Sequence, residues 1–182
     1  MGQMVKGAET ARPQAAGRQG KYLVFHLGRE EFAVAVLKVR EIMGLQEITE
    51  VPQTPHYVRG VINLRGKVIP VVDLRRKFGM PDTEATARTC IVVLQVRRRA
   101  GGDPLLMGVI VDGVSEVLTI HEQDIEDTPS FGDGVELPYV LGLAKVKGRV
   151  KILLDIDQVM TAQELAGLEH LPVGEEAAPA EA

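Results

Sequence analysis

Few residues in this chain have the types and spacing that chemistry needs. Cys90 is the single cysteine and so the only thiol nucleophile on offer. It opens the apolar run Cys90-Ile91-Val92-Val93-Leu94, with no basic neighbour to stabilise a thiolate, and reads as a buried structural thiol. The four histidines, His26, His56, His121 and His170, are widely scattered. His121-Glu122-x-Asp124 groups three metal-ligating types, but nothing supplies further ligands at a suitable spacing. The same residues suit a helix N-terminus or a solvated loop. Phosphate-binding Gly loops, metalloprotease His pairs, nucleophile elbows and kinase signatures are all missing from the sequence. No cofactor or metal is expected, and no reaction.

Arginine is the remaining candidate. Arg97-Arg98-Arg99 is the strongest basic run, and it leads into Ala100-Gly101-Gly102-Asp103-Pro104, a loop composition in which arginines are solvated. A nucleic-acid contact there is the rival reading. A net charge of -4, no Trp and only four Phe and three Tyr give it neither a basic footprint nor a stacking platform. Arg65 differs because it stands beside Gly66 at the tip of a hairpin. From there it can donate a bidentate fork to a partner's carboxylate, or it is an exposed turn residue of no consequence. Gly60 and Gly108 lie within strand patterns, where glycine marks either a bulge or the close approach of another backbone.

These residues must be carried by a scaffold of strands. Of 182 residues, 45% are hydrophobic and 25% charged, as in soluble globular proteins. Scarce aromatics require an aliphatic core. There is no apolar run of about 18 residues to span a bilayer and no signal-peptide pattern, and a lone cysteine suits a reducing cytosol. A cytoplasmic protein is expected. Residues 1–20 and 172–182 lack apolar periodicity and read as disordered tails around a body over 21–171. Tyr22–Leu27 and Phe32–Val36 predict a hairpin across 28–31. Val36, Val39 and Met43 then recur at helical spacing, which predicts one or two turns. Gly60–Leu64 and Lys67–Asp73 predict a second hairpin, with a type I turn over Leu64-Arg65 and a left-handed Gly66. Pro70 lacks a donor and predicts an edge or bulged strand. Asp73 caps a short helix ended by Gly79, and Thr161-x-x-Glu164 is a capping box opening a final helix.

The sequence also repeats itself. Gly60–Phe78 aligns without gaps on Gly142–Met160, pairing Arg65-Gly66-Lys67 with Lys147-Gly148-Arg149 and Asp73 with Asp155. Phe32–Met43 aligns on Met107–Leu118, pairing Val39 with Val114 and Glu41 with Glu116. About five strands per unit can curl into a small barrel and hide their edges. Two such barrels gain by sharing a core, and the groove between them would suit a partner.

Tyr22-Leu-Val-Phe, Leu37-Lys-Val-Arg-Glu-Ile42, Arg59-Gly-Val-Ile-Asn-Leu-Arg-Gly66, Pro70-Val-Val-Asp-Leu-Arg75 and Val111-Asp-Gly-Val-Ser-Glu-Val117 resemble the CheW family of chemotaxis coupling proteins. The resemblance spans about 21–168. It implies a mainly β fold of two intertwined five-stranded SH3-like barrels with short helices and a C-terminal helix. It also implies a non-catalytic adaptor in signalling arrays, which joins the cytoplasmic tip of methyl-accepting chemoreceptors to a chemotaxis histidine kinase. The kinase's regulatory domain would be contacted barrel to barrel, without nucleic acid and without insertion into the membrane near which the arrays lie. Carried over by motif, the receptor-binding residues are Val39, Glu41, Gly60, Arg65, Gly108 and Val117. Cys90 replaces a commonly aliphatic position, and the 97–104 loop is longer than in compact members.

The paired turn glycines can be tested directly. Replacing Gly66 or Gly148 with Val should destabilise by about 1–2 kcal/mol through Cβ strain. Chemical denaturation checks this, and unchanged midpoints at both positions would count against the turn assignment.

Overall fold

The computed structural model describes residues 17–98, 101–128 and 137–169. The expected tails therefore lie outside the described residues, apart from 17–20. Arg18 in that stretch is pinned to the body. Its guanidinium meets Glu122, Asp127 (2.8 Å) and the Leu141 carbonyl (3.1 Å).

The strands are β1 (Gly20–Leu27), β2 (Glu30–Ala35), β3 (Val39–Gly44), β4 (Val58–Leu64), β5 (Lys67–Asp73), β6 (Cys90–Val96), β7 (Leu105–Val111), β8 (Gly113–Ile120), β9 (Ile125–Glu126), β10 (Val140–Val146) and β11 (Arg149–Leu154). The helices are α1 (Leu74–Lys77), α2 (Ile156–Val159) and α3 (Ala162–Glu169). One sheet runs β3-β6-β7-β5-β4 and the other β8-β1-β2-β11-β10-β9. In each, the chain leaving one edge strand pairs with the opposite edge and closes a barrel: Thr49 bridges Val61 of β4, and β9 pairs with β10. Because β1 and β2 belong to the second barrel while β3 opens the first, the barrels are intertwined.

The duplication seen in the sequence extends to the register. Parallel β5–β7 matches Val71 with Gly108, and parallel β11–β2 matches Leu153 with Ala33, their repeat counterparts. Bulges fall between Val58 and Gly60 and between Val140 and Gly142. Asp73 and Asp155 each cap a short helix, accepting from the amides of Arg75 and Asp157.

Most of the core lies between the barrels. Among the described residues, six side chains fill the first barrel and seven the second, whereas twenty-one form the shared cluster. Strand alternation explains this. On β6, Ile91 and Val93 face into the barrel while Val92, Leu94 and Val96 face the shared core. On β1, Tyr22 and Val24 point inward and Leu23, Phe25 and Leu27 toward the interface. A continuous apolar run is the pattern required of a strand buried on both faces. A ladder of stacked rings crosses the interface, Phe25–Phe32–Phe78–Tyr139, with centroid spacings of 5.9, 5.6 and 5.3 Å.

Three local expectations are corrected. The helical turns expected over Val36–Met43 amount to one 3-10 turn, Val36–Lys38, because β3 gains a ladder with β6. The hairpin turn is type I′: Arg65 has φ 53° and Gly66 φ 86°, and Leu64 pairs with Lys67. The Asn63 carboxamide oxygen accepts from the Gly66 amide at 2.7 Å, and a two-residue loop with this twist joins right-twisted strands better than type I. Lys147 (57°) and Gly148 (75°) repeat the turn. Pro70 lies in an interior strand, not an edge. It is tolerated because the β5–β7 ladder starts one residue later, at Val71.

The barrels differ in one polar detail. Lys151 and Glu31 form a buried ion pair at 2.9 Å, with side chains 3% and 10% exposed, where the first barrel carries Ile69 and Leu106. The Lys151 ammonium, chiefly by its hydrogen bond, holds the Glu31 carboxyl below its ordinary 4.5. Folding stability from this group is thus full above about pH 4.5 and fades as the pH falls through the depressed value. Lys151→Met alone leaves the buried Glu31 carboxylate only the exposed Arg149, at 3.5 Å, and should cost about 1–3 kcal/mol. Glu31→Leu with Lys151→Ile copies the first barrel and should recover the parent midpoint or exceed it, with a shallower loss of stability in acid. Urea unfolding at pH 7 and pH 4 measures both.

Candidate docking surface

The β4–β5 hairpin projects Arg65 from a left-handed backbone position that costs a residue with a Cβ about 1–2 kcal/mol. The twist of the flanking strands favours the type I′ turn that requires this conformation, and the turn leaves the side chain at an exposed tip. The Arg65 side chain is 72% exposed, and its guanidinium forms an ion pair with Glu41 on β3 at 2.8 Å. Glu41 reaches it because the bulge between Val39 and Glu41 re-aims the strand as it leaves the 3-10 turn. The second barrel repeats this latch, with Lys147 meeting Glu116 at 3.1 Å. Both pairs join residues that align in the repeat.

Of the six residues carried over by motif, the structure brings Glu41 and Arg65 into contact. Val39 stands two residues before Glu41, half-buried against the shared core. Gly60 and Gly108 are buried. A Cβ at Gly60, where φ is 144°, would lie 2.0 Å from the Thr49 carbonyl oxygen, across the bridge that closes the barrel. A Cβ at Gly108 would lie 2.9 Å from Ile91 Cγ2 inside the first barrel. Their place in the fold is to let chains approach closely. Val117 is 53% exposed on β8, in the other barrel.

Arg65 also floors a surface hollow of ≈ 540 Å³. Arg40 and Glu41 of β3, Lys67 of β5, and Asp103 and Pro104 before β7 help to line it. Arg40 is held by a hydrogen bond to Gln95. The motif reading missed Arg40, Lys67 and Asp103. Outward alternation on β3 was the available signal for Arg40, and no local pattern marks a loop residue that folding carries to a hairpin tip. Leu37, 89% exposed in the 3-10 turn before β3, and Ile42, 45% exposed on β3, add apolar surface.

The other chemistry-bearing residues are accounted for structurally. Burial pushes the Cys90 thiol up, away from a reactive thiolate. Glu122 and Asp124 form a 3-10 turn, with Glu122 paired to Arg18. No cluster able to hold a metal occurs among the described residues. The arginine run is less free than its composition suggests. Arg97 donates its amide to Asp157 of α2 at 2.7 Å, and Arg98 pairs with Glu169 of α3 at 3.1 Å. Arg99 lies outside the described residues. No helix among the described residues is long and apolar enough to cross a membrane.

The sequence profile described as CheW-like domain matches residues 21–164, almost the whole folded body. The chain belongs to the CheW-like domain family. The chemotaxis protein CheW of Rhizobium meliloti is 39% identical over 142 residues, covering 78% of this chain and 88% of that one. The chemotaxis protein CheW of Klebsiella aerogenes is 34% identical over 151 residues, 83% and 87% of the two chains. The crystal structure of the scaffolding protein TtCheW from Thermoanaerobacter tengcongensis superposes with a TM-score of 0.68 at 30% identity, covering 80% of this chain and 97% of that one. The duplicated barrels are thus the architecture of chemotaxis scaffolds.

Gly60→Ala tests the packing role of the site glycines. The clash with Thr49 and the positive φ together should cost about 2–4 kcal/mol. Thermal unfolding should show a lowered midpoint even with no partner present, and an unchanged midpoint would return Gly60 to the list of direct contacts.

Proposed function

We propose that this chain is a non-catalytic chemotaxis adaptor that couples the cytoplasmic tips of methyl-accepting receptors to the regulatory domain of a chemotaxis histidine kinase. Such a protein works by position. It raises the local concentration of kinase beside receptor and biases whichever kinase state its contacts favour. Membership of a family whose named relatives are chemotaxis proteins and scaffolds supports the coupling role. The observation that supports the receptor site is Arg65, presented on an exposed hairpin tip and paired there with Glu41 rather than packed against the core. Val39 and Glu41 form the adjoining edge of that site, with Gly60 and Gly108 shaping the barrel beneath it. Val117 extends the surface onto the second barrel. Kinase contact falls elsewhere on the barrels, and recruitment to membrane-associated arrays follows from holding the receptor.

Arg65→Glu should change folding stability by under about 0.5 kcal/mol, because the tip makes no core contact. Loss of a desolvated charge-assisted contact costs about 2 kcal/mol or more, so affinity for a receptor tip fragment should fall roughly thirtyfold or further. Kinase-domain affinity should hold. Arg88→Glu, in the exposed 81–88 segment, is the control and should leave both affinities unchanged. Calorimetry with each partner, alongside the unfolding midpoint, decides it. Equal losses for both partners, or a collapsed midpoint, would overturn the site assignment.

A further inference from the structure

We infer that the hollow beside Arg65 is a pocket for a single carboxylate side chain of the receptor, with Lys67 as its free cation and Asp103 as a repelling wall that limits how acidic the docking segment can be. This rests on the reading of Arg65 as receptor-facing. Three cations, Arg40, Arg65 and Lys67, line the hollow against two carboxylates, Glu41 and Asp103. Arg40 is engaged by Gln95, and Arg65 by Glu41. Lys67 and Asp103 form no ion pair among the described residues. Arg65 has further guanidinium donors beside the one that Glu41 takes. An entering carboxylate thus finds Lys67 and the spare edge of Arg65 together.

The position of Asp103 is built, not incidental. At the base of its loop, the Arg97 amide is bonded to Asp157 and Arg98 to Glu169, which ties the loop to α2 and α3. Gly101 and Gly102 then take φ of 91° and 93°, a reversal that side chains rarely adopt, and the Gly101 amide donates back to the Arg98 carbonyl at 3.2 Å. Pro104 restricts the backbone that follows Asp103 and completes the wall. A carboxylate fixed at the rim of a cationic hollow acts by exclusion: one acidic side chain gains more from Lys67 and Arg65 than it loses to Asp103, whereas an acidic run does not.

The test uses the full chain and a receptor tip fragment as the probe, with each acidic residue of the fragment changed singly to its amide. Lys67→Ala should weaken binding about five- to tenfold, and Asp103→Asn should tighten it about threefold, as expected for charges at a partly exposed interface. One amide variant of the fragment should abolish both effects, which identifies the docked carboxylate. Raising the salt concentration should shrink both effects together. If Arg65→Glu loses binding while Lys67→Ala and Asp103→Asn stay within twofold of the parent, the pocket is overturned and the receptor reading stands. If Asp103→Asn weakens binding, Asp103 meets a partner cation and the wall is overturned. If Arg65→Glu also binds normally, the receptor reading itself fails.

Discussion

The whole molecule depends on a core that neither barrel owns. Among the described residues, six or seven mostly aliphatic side chains inside each closed sheet of short strands bury too little apolar surface to offset chain ordering. The shared cluster of twenty-one residues removes that limit, at about 1.5–3 kcal/mol for each large apolar side chain taken out of water. Its ring ladder draws on β1, β2, the end of α1 and the approach to β10, so neither barrel can part from the other without unstacking it. A polar clamp reinforces the seam. Asp112, between β7 and β8, accepts from Arg75 at 2.7 Å and from the Gly28 amide at 2.6 Å. Burial opposes its charge, yet these donors hold its carboxyl below the usual carboxylate range.

A rigid seam suits a protein that acts by holding others in place. Surfaces on the two barrels keep a fixed mutual geometry only if the barrels do not rock, and a core threaded by strands from both prevents that. The intertwined chain order adds to this, since β2 leads into β3 and β7 into β8 across the seam. Lys38, in the first of these crossings, is tied to Asp157 of α2 at 2.6 Å. A scaffold of this kind depends on side chains presented at stable positions. The tip latches hold their side chains in this way: each is a cation on a turn of positive φ, answered by a glutamate from a neighbouring strand. Their recurrence in both barrels makes the latch a property of the repeated unit. The Glu31–Lys151 pair, in contrast, is confined to one barrel and marks where the halves have diverged.

Much of this was legible in the residues. Alternation and apolar runs revealed the strands, because side-chain direction along a strand has a period of two wherever burial differs between faces. The gapless repeat foretold equivalent registers, down to the bulges at Gly60 and Gly142. The capping Asp73, Asp155 and Thr161 were readable because a cap is a local bond between near neighbours. Glu41 and Arg65 both lay within aligned repeats whose partners, Glu116 and Lys147, keep the same charges, but that the two meet was visible only in the fold. What escaped depended on distant chain. The type I′ turn was misread because Cβ strain at Arg65 is visible locally, while the strand twist that overrides it is not. Pro70 suggested an edge, but the point where β7 begins to pair belongs to the ladder and to no local pattern. Arg97 and Arg98 looked free because Asp157 and Glu169 are some sixty and seventy residues downstream. Asp103 likewise reached the Arg65 hollow only through folding. Periodicity, caps and duplication are encoded within a few residues or within a repeat, so they can be read in one dimension. Which barrel a strand joins, which charges are answered and which loop walls a pocket depend on neighbours that only the packed chain supplies.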